Sequence, residues 1–192
     1  MKDIRSITTN VLPIVAAACL VDTVGLFGWR YGLAGAAADG PINLWYDRFG
    51  LVAYGADVLS MIIGIALTQL VTTAMGGPWS LFRFCVVAVA IQLVHDLVFA
   101  GIVVPAVPLG HNTIMDLMRS YATMPGAGGI LVVDAIYMIL TAVIASFLAS
   151  SNMSWLVLLI TLYATMYVLY TRAPKSGPIT GYGTTHFNDD ML

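Results

Sequence analysis

Five apolar stretches, at about residues 9–29, 50–75, 81–107, 129–150 and 154–171, leave this chain few folds to choose from. A helix rises about 1.5 Å per residue, so roughly 20 apolar residues cross the hydrocarbon of a bilayer, where the backbone must satisfy its own hydrogen bonds. With 59% hydrophobic and 9% charged residues and a mean hydropathy of +0.89, the composition lies far from that of a soluble domain. The expected fold is all-α. It is a polytopic transmembrane helix bundle of about five spans over residues 1–172, with a flexible polar tail at 173–192 that is rich in Gly, Pro, Ser and Thr.

The punctuation between the stretches agrees with that reading. GGPW at 76–79 and SSN at 150–152 break the chain between spans. Trp29, Trp79 and Trp155 fall at span ends, where an indole keeps its ring in lipid and its N–H among headgroups. Two longer connections are expected to hold short amphipathic helices near the interface. In ADGPINLWYDRFG, Asp39 or Gly40 offers a cap and Pro41 a first helical turn. In GHNTIMDLMRSYATMPGAGG, apolar Ile114, Leu117, Met118 and Tyr121 alternate with polar Asp116, Arg119 and Ser120. Lys2, Arg5 and Arg83 lie on the amino-terminal side of five spans, against Arg30, Arg48, Arg119, Arg172 and Lys175 on the other, which favours a cytoplasmic carboxyl terminus by a narrow margin.

All ten acidic residues are aspartates, and Asp22, Asp57, Asp96 and Asp134 each interrupt a different one of the first four spans. A central aspartate costs about 2.5–3.5 kcal/mol on the insertion scale, so each needs a partner or a purpose. Counting from the span ends places all of them roughly 8–15 Å inside the same membrane face. Helical spacing adds companions: Gln92 one turn before Asp96 and beside His95, Tyr137 one turn after Asp134, and Ser60 after Asp57. The candidate site is therefore Asp22, Asp57, Gln92, His95, Asp96, Asp134 and Tyr137, expected to face the bundle interior away from lipid.

Two uses of that tier stay open. One is hydrogen-bonded fastening of helices, the other a site for a proton, a cation or a polar headgroup. No paired-histidine spacing accompanies the acids, so neither a metal nor a cofactor is expected. No nucleophile elbow, phosphate loop or basic patch occurs, and nucleic acid is not an expected partner. Cys19 and Cys85 both lie in apolar runs and form no disulfide framework. Tyr163, Tyr167 and Tyr170 read as a packing or interfacial stripe, and Ala142, Ser146, Ser150, Ala145 and Ala149 as small residues for close helix contact.

The chain also carries the marks of a duplication. LVDTV before the first connection resembles LVHDLV before the second, and ADVLSMIIGIALT aligns with VDAIYMILTAVIA through Asp57 with Asp134, Met61 with Met138 and Ile62 with Ile139. A tandem repeat of two-helix hairpins would share one orientation and relate by an axis along the membrane normal.

WYDRFG, ADVLSMIIG, QLVHDLVF, MDLMRSYA and VVDAIYMILTAVIAS, in that order, resemble multi-pass membrane proteins of large nucleocytoplasmic DNA viruses, of the phycodnavirus and mimivirus kind. The resemblance covers about residues 43–150; Ala100 stands where an aromatic is expected after HDLVF. It implies a setting, a viral membrane, and carries no catalytic roles. The first expectation is a multi-pass component of the virion's internal membrane, or of the host membranes from which it forms. It would act through packing and through contacts with the lipid bilayer, with other viral membrane or capsid proteins, and with further copies of itself as a homo-oligomer. A proton or cation channel or transporter using the acidic layer is one alternative. Another is a membrane-embedded enzyme modifying a lipid or sterol, with an aspartate and His95 as general acid and base.

Overall fold

The computed structural model describes residues 1–32, 41–124 and 127–171. The tail expected at 173–192 and the cap expected at Asp39 or Gly40 lie outside the described residues. The helices are α1 (Ile7–Arg30), α2 (Pro41–Phe49), α3 (Leu51–Ala74), α4 (Leu81–Ala106), α5 (Thr113–Thr123), α6 (Gly128–Leu148) and α7 (Ser154–Val168). Four of them, α1, α3, α4 and α6, are long and apolar enough to cross a membrane. The fifth apolar segment forms α7, whose 15 residues rise about 22 Å against roughly 30 Å of hydrocarbon. The five expected crossings thus resolve into four full-length ones and a shorter apolar helix.

Side chains are distributed inside out relative to a soluble domain. Leu59, Ile63, Leu70, Val94, Leu97, Val132, Phe147, Leu159 and Ile160 point outward and are exposed, whereas Asn10, Asp22, Thr68, Gln69, Thr72, Gln92, Thr141, Ser146 and Thr165 are buried. Lipid tails are as apolar as leucine, so outward apolar faces cost nothing there, and interior polar groups join helices by hydrogen bonds.

Helix α1 is the axis of the bundle. Ala16, Ala17, Ala18 and Cys19 are all buried, and consecutive residues step about 100° around a helix, so the middle of α1 is enclosed on every side, while Val11, Val24 and Phe27 toward its ends are exposed. It packs against α3, α6 and α7, and α4 lies across from it against α3 and α6. Exchanging α1 and α3 for α4 and α6 leaves these pairings unchanged, the arrangement a duplicated hairpin would give. Helix α7 stands outside that exchange, packed on α1. The small residues expected on α6 are used at Ala142, Ala145 and Ser146, all at 0% exposure.

The ends of the bundle are fastened differently. At the amino-terminal end, Lys2 N–H donates to the Ser146 carbonyl (3.2 Å) and the Ser146 hydroxyl donates back to the Lys2 carbonyl (2.6 Å). Gln69 Nε2 donates to the carbonyl of buried Ile4 at 2.6 Å. At the opposite end sit α2 and α5, the two short helices expected near the interface. Gly50, with φ of +51°, turns the chain between α2 and α3, a conformation open to glycine at little cost. Asn112 caps α5, accepting from the Ile114 and Met115 amides. Helix α4 widens into a π turn at Phe99–Val103 just before Pro105. Proline has no N–H to give and its ring crowds the carbonyl one turn back, which a wider turn relieves. Arg119 of α5 then donates to the Val104 (3.0 Å) and Val107 (2.6 Å) carbonyls beyond it.

Candidate functional site

Four spans each bring one carboxylate toward the α2 and α5 end, and the local chemistry of each is different. Asp22 on α1 is 1% exposed. Asp57, near the start of α3, faces it across α2. The hydroxyl of Tyr46 on α2 donates to Asp57 Oδ2 at 2.8 Å and stands 3.3 Å from Asp22 Oδ1, so a single phenol bridges carboxylates of two different spans. Trp45, its neighbour on α2, donates from Nε1 to the same Asp57 oxygen at 2.9 Å. Burial first, and then the charges of Asp22 and Asp57, hold the Tyr46 phenol well above its ordinary value. It therefore keeps its proton and remains a donor. Among the described residues, Asp22 Oδ2 is buried without a hydrogen-bond partner.

On α4 a second group forms. Asp96 Oδ1 accepts from Gln92 Nε2 at 2.7 Å and lies 3.0 Å from His95 Nδ1. The His95 ring stacks on Phe99 with centroids 5.9 Å apart. Asp134, half-buried on α6, lies within electrostatic reach of both Asp96 and Asp57 and so stands between the two groups. Tyr137, one turn along α6, comes within reach of Asp22 and Asp134, its hydroxyl pressed against α1 where Gly25 has no side chain. Tyr121 on α5 faces Asp57 and Asp134, and burial with those two charges pushes its phenol up as well.

His95 departs from the expected interior position: its side chain is 51% exposed, against 15% for Asp96. Consecutive helical residues lie about 100° apart, so with Asp96 turned inward His95 faces the outside of the bundle. The remaining predicted residues, Asp22, Asp57, Gln92, Asp96, Asp134 and Tyr137, gather toward the interior. Among the described residues no three His, Cys or Asp side chains converge closely enough to hold a metal ion.

The donors on α2 were not singled out from the sequence, nor was Arg30. That guanidinium, 1% exposed at the last turn of α1, pairs with Asp47 at 2.7 Å, donates to Asn43 Oδ1 (3.2 Å) and to the Leu169 carbonyl (3.1 Å), and lies 5.9 Å from the Tyr46 ring. Asn43, Tyr46 and Asp47 occupy one face of α2 at i, i+3 and i+4, a spacing visible in NLWYDRF. Deeper in the bundle, Thr23 Oγ1 lies 2.7 Å from Thr165 Oγ1 and 3.1 Å from the Tyr54 hydroxyl, joining α1, α7 and α3. At Asp22, Asp57, Arg30 and Thr23 donor meets acceptor across helices, with α2 supplying donors to Asp22 and Asp57, whereas the partners of Asp96 lie on its own helix and its Oδ2 is buried without one among the described residues. Neither a protein-family model, nor a curated protein, nor a solved structure matches this chain.

Proposed function

We propose that the protein is a structural, multi-pass component of a membrane, acting through packing and partner contacts, with its aspartates serving as internal fasteners. The observation that carries this reading is the Tyr46 bridge. The Asp22 and Asp57 carboxylates are addressed by hydrogen-bond donors from the chain's own α2, and Asp96 by Gln92 of its own helix. Used in this way the tier locks α2 across α1 and α3 and sets which helix faces meet. The resemblance to proteins of large DNA viruses supports a viral membrane as the setting, either inside the virion or in the host membranes that give rise to it.

The test is reconstitution of the full chain into liposomes holding a pH-sensitive dye. The wild type is expected to leave an imposed pH or potassium gradient intact, and Asp57→Asn and Asp96→Asn to insert and fold, since an amide oxygen still accepts from Trp45, Tyr46 or Gln92. Gradient dissipation by the wild type that these variants abolish would replace this reading with a proton or cation pathway. Conversion of supplied lipids by the wild type would replace it with an enzyme. The setting is tested separately: in infected cells, antibody to the chain should label the membrane of the particle or its precursors, and label confined to other membranes removes the viral assignment.

A further inference from the structure

We propose that Asp22 binds one proton in the folded protein and that this proton closes an acid-tightened latch between α2 and the spans, Asp22 donating to the Tyr46 oxygen and Tyr46 to Asp57. The count of hydrogens leads there. A phenol has one hydrogen, and the shorter contact takes it, 2.8 Å to Asp57 Oδ2 against 3.3 Å to Asp22 Oδ1. What Tyr46 then turns toward Asp22 is oxygen. An ionised Asp22 would set oxygen against oxygen with no hydrogen between them, whereas a carboxylic acid supplies the missing donor.

The charges around this corner agree. Asp22 is 1% exposed. It is faced from α2 by Tyr46, from α3 by Asp57, from α6 by Asp134 and the Tyr137 phenol, and on its own helix by Cys19. Asp96 of α4 and Tyr121 of α5 lie beyond, facing Asp134. Tyr54 of α3 bonds to Thr23 and the Cys19 carbonyl, and α7 meets α1 through Thr165, its Tyr163, Tyr167 and Tyr170 being exposed. Arg30, two turns along α1, is paired with Asp47 at 2.7 Å. Among the described residues no Lys, Arg or His forms an ion pair with Asp22, Asp57 or Asp134.

Two carboxylates that share one buried site without a cation keep a proton between them. The hydrogen bonds say where it sits. Asp57 Oδ2 accepts from both Trp45 Nε1 and the Tyr46 hydroxyl, a pattern that favours the ionised form. Asp22 has no second donor, and its Oδ2 is buried without a partner among the described residues, which a neutral acid tolerates at lower cost than a charge does. Closing this corner thus takes up a proton, which returns to water when α2 lifts and Asp22 is hydrated. The latch holds in acid and loosens as pH rises.

The inference rests on the reading of the acids as fasteners, but its test involves no transport. A gradient dissipated by the wild type would overturn that reading and leave the Asp22 proton in place, and the measurements that overturn the proton leave the gradient result untouched.

The full chain is titrated by infrared difference spectroscopy in a maltoside detergent, which has no carbonyl. At neutral pH the wild type should show the carbonyl stretch of an un-ionised carboxylic acid, and Asp22→Asn should lose one carboxyl's worth of it. No such band in the wild type, or the same band in Asp22→Asn, overturns the proposal. Trp45→Phe touches only Asp57 and should leave the band where it is; a band that moves puts the proton on Asp57 and overturns the assignment. Should Asp22→Asn fail to fold, Tyr46→Phe decides: removing the acceptor should shift the band, and an unmoved band overturns the proposal. Amide exchange in α2, corrected for its intrinsic base catalysis, should rise by up to about tenfold per pH unit in the wild type, the slope of one proton. It should be flat in Asp22→Asn, whose amide N–H copies the protonated acid. A flat wild-type profile, or equal slopes in both proteins, overturns the latch.

Discussion

The Arg30 guanidinium, 1% exposed, and the Asp47 carboxylate, whose side chain is 43% exposed, meet at 2.7 Å across the end of α1. The charge at the centre is thus dry on one side and wet on the other. Asn43 and the Leu169 carbonyl accept from Nη1 and Nη2, so the last turn of α1, the polar face of α2 and the end of α7 are tied at one point, while Arg30 Nε is buried without a partner among the described residues.

Asp47→Asn should therefore destabilise by about 1–3 kcal/mol. This is below the 3–5 kcal/mol of a fully buried pair broken on one side, because water already screens the exposed partner. Arg30→Met should behave differently, removing the buried charge together with its bonds. Thermal unfolding in detergent measures both, and amide exchange across α2 should rise in Asp47→Asn. Unchanged exchange there would show that the pair does not hold α2.

Tyr46→Phe keeps the ring and deletes only the hydroxyl that bridges Asp22 and Asp57. The expected loss is about 1–3 kcal/mol, since a buried acceptor is left unmet. Trp45→Phe should cost less, because Asp57 keeps the Tyr46 bond. The order of the two melting temperatures checks this; the reverse order would make Trp45 the principal donor.

Gly25→Ala places a methyl group where the Tyr137 hydroxyl sits. A ring end on a packed helix has little room to withdraw, so overpacking should cost about 1–3 kcal/mol. Adding Tyr137→Phe, which removes the oxygen, should recover part of the loss. A double variant no more stable than Gly25→Ala alone would place the strain elsewhere.

The amino-terminal segment should respond to acid. The Arg5 guanidinium, bonded to Asp3 at 2.6 Å, holds that carboxyl below its ordinary value of 3.8. Its contribution is present above 3.8 and is lost as pH falls through the lower folded value. The pair is only partly buried and water screens it, so the effect on global stability is small. Protection of the Lys2 amide, which donates to Ser146, should fall over that acid range in the wild type and already be low in Asp3→Asn. Identical pH profiles would detach Asp3 from the docking of this segment.

Much of the bundle was legible because it depends on local chain properties. The runs that became α1, α3, α4 and α6, the proline that opens α2 and the amphipathic pattern of α5 can all be read in a window of residues. Asp22, Asp57, Asp96 and Asp134 could be placed at one end by counting along helices. The donors were harder. Tyr46 and Trp45 look like interfacial aromatics in NLWYDRF, and only the fold of α2 back across α1 and α3 brings them to Asp57. His95 was expected inside because Gln92 lies one turn before both it and Asp96, but the two fall on opposite sides of Gln92 around the helix, and with Asp96 turned inward His95 is left 51% exposed.

Composition and periodicity alone determined that this chain is a helical membrane bundle with an acid in each of its four long helices, because bilayer thickness and backbone hydrogen bonding act on each segment separately. The tertiary structure alone decided which carboxylates share a donor, that α1 is the most buried of the four long helices, and that His95 looks outward. Those outcomes depend on the rotation of each helix about its axis and on its neighbours. Packing between segments sets both, and no single segment encodes it.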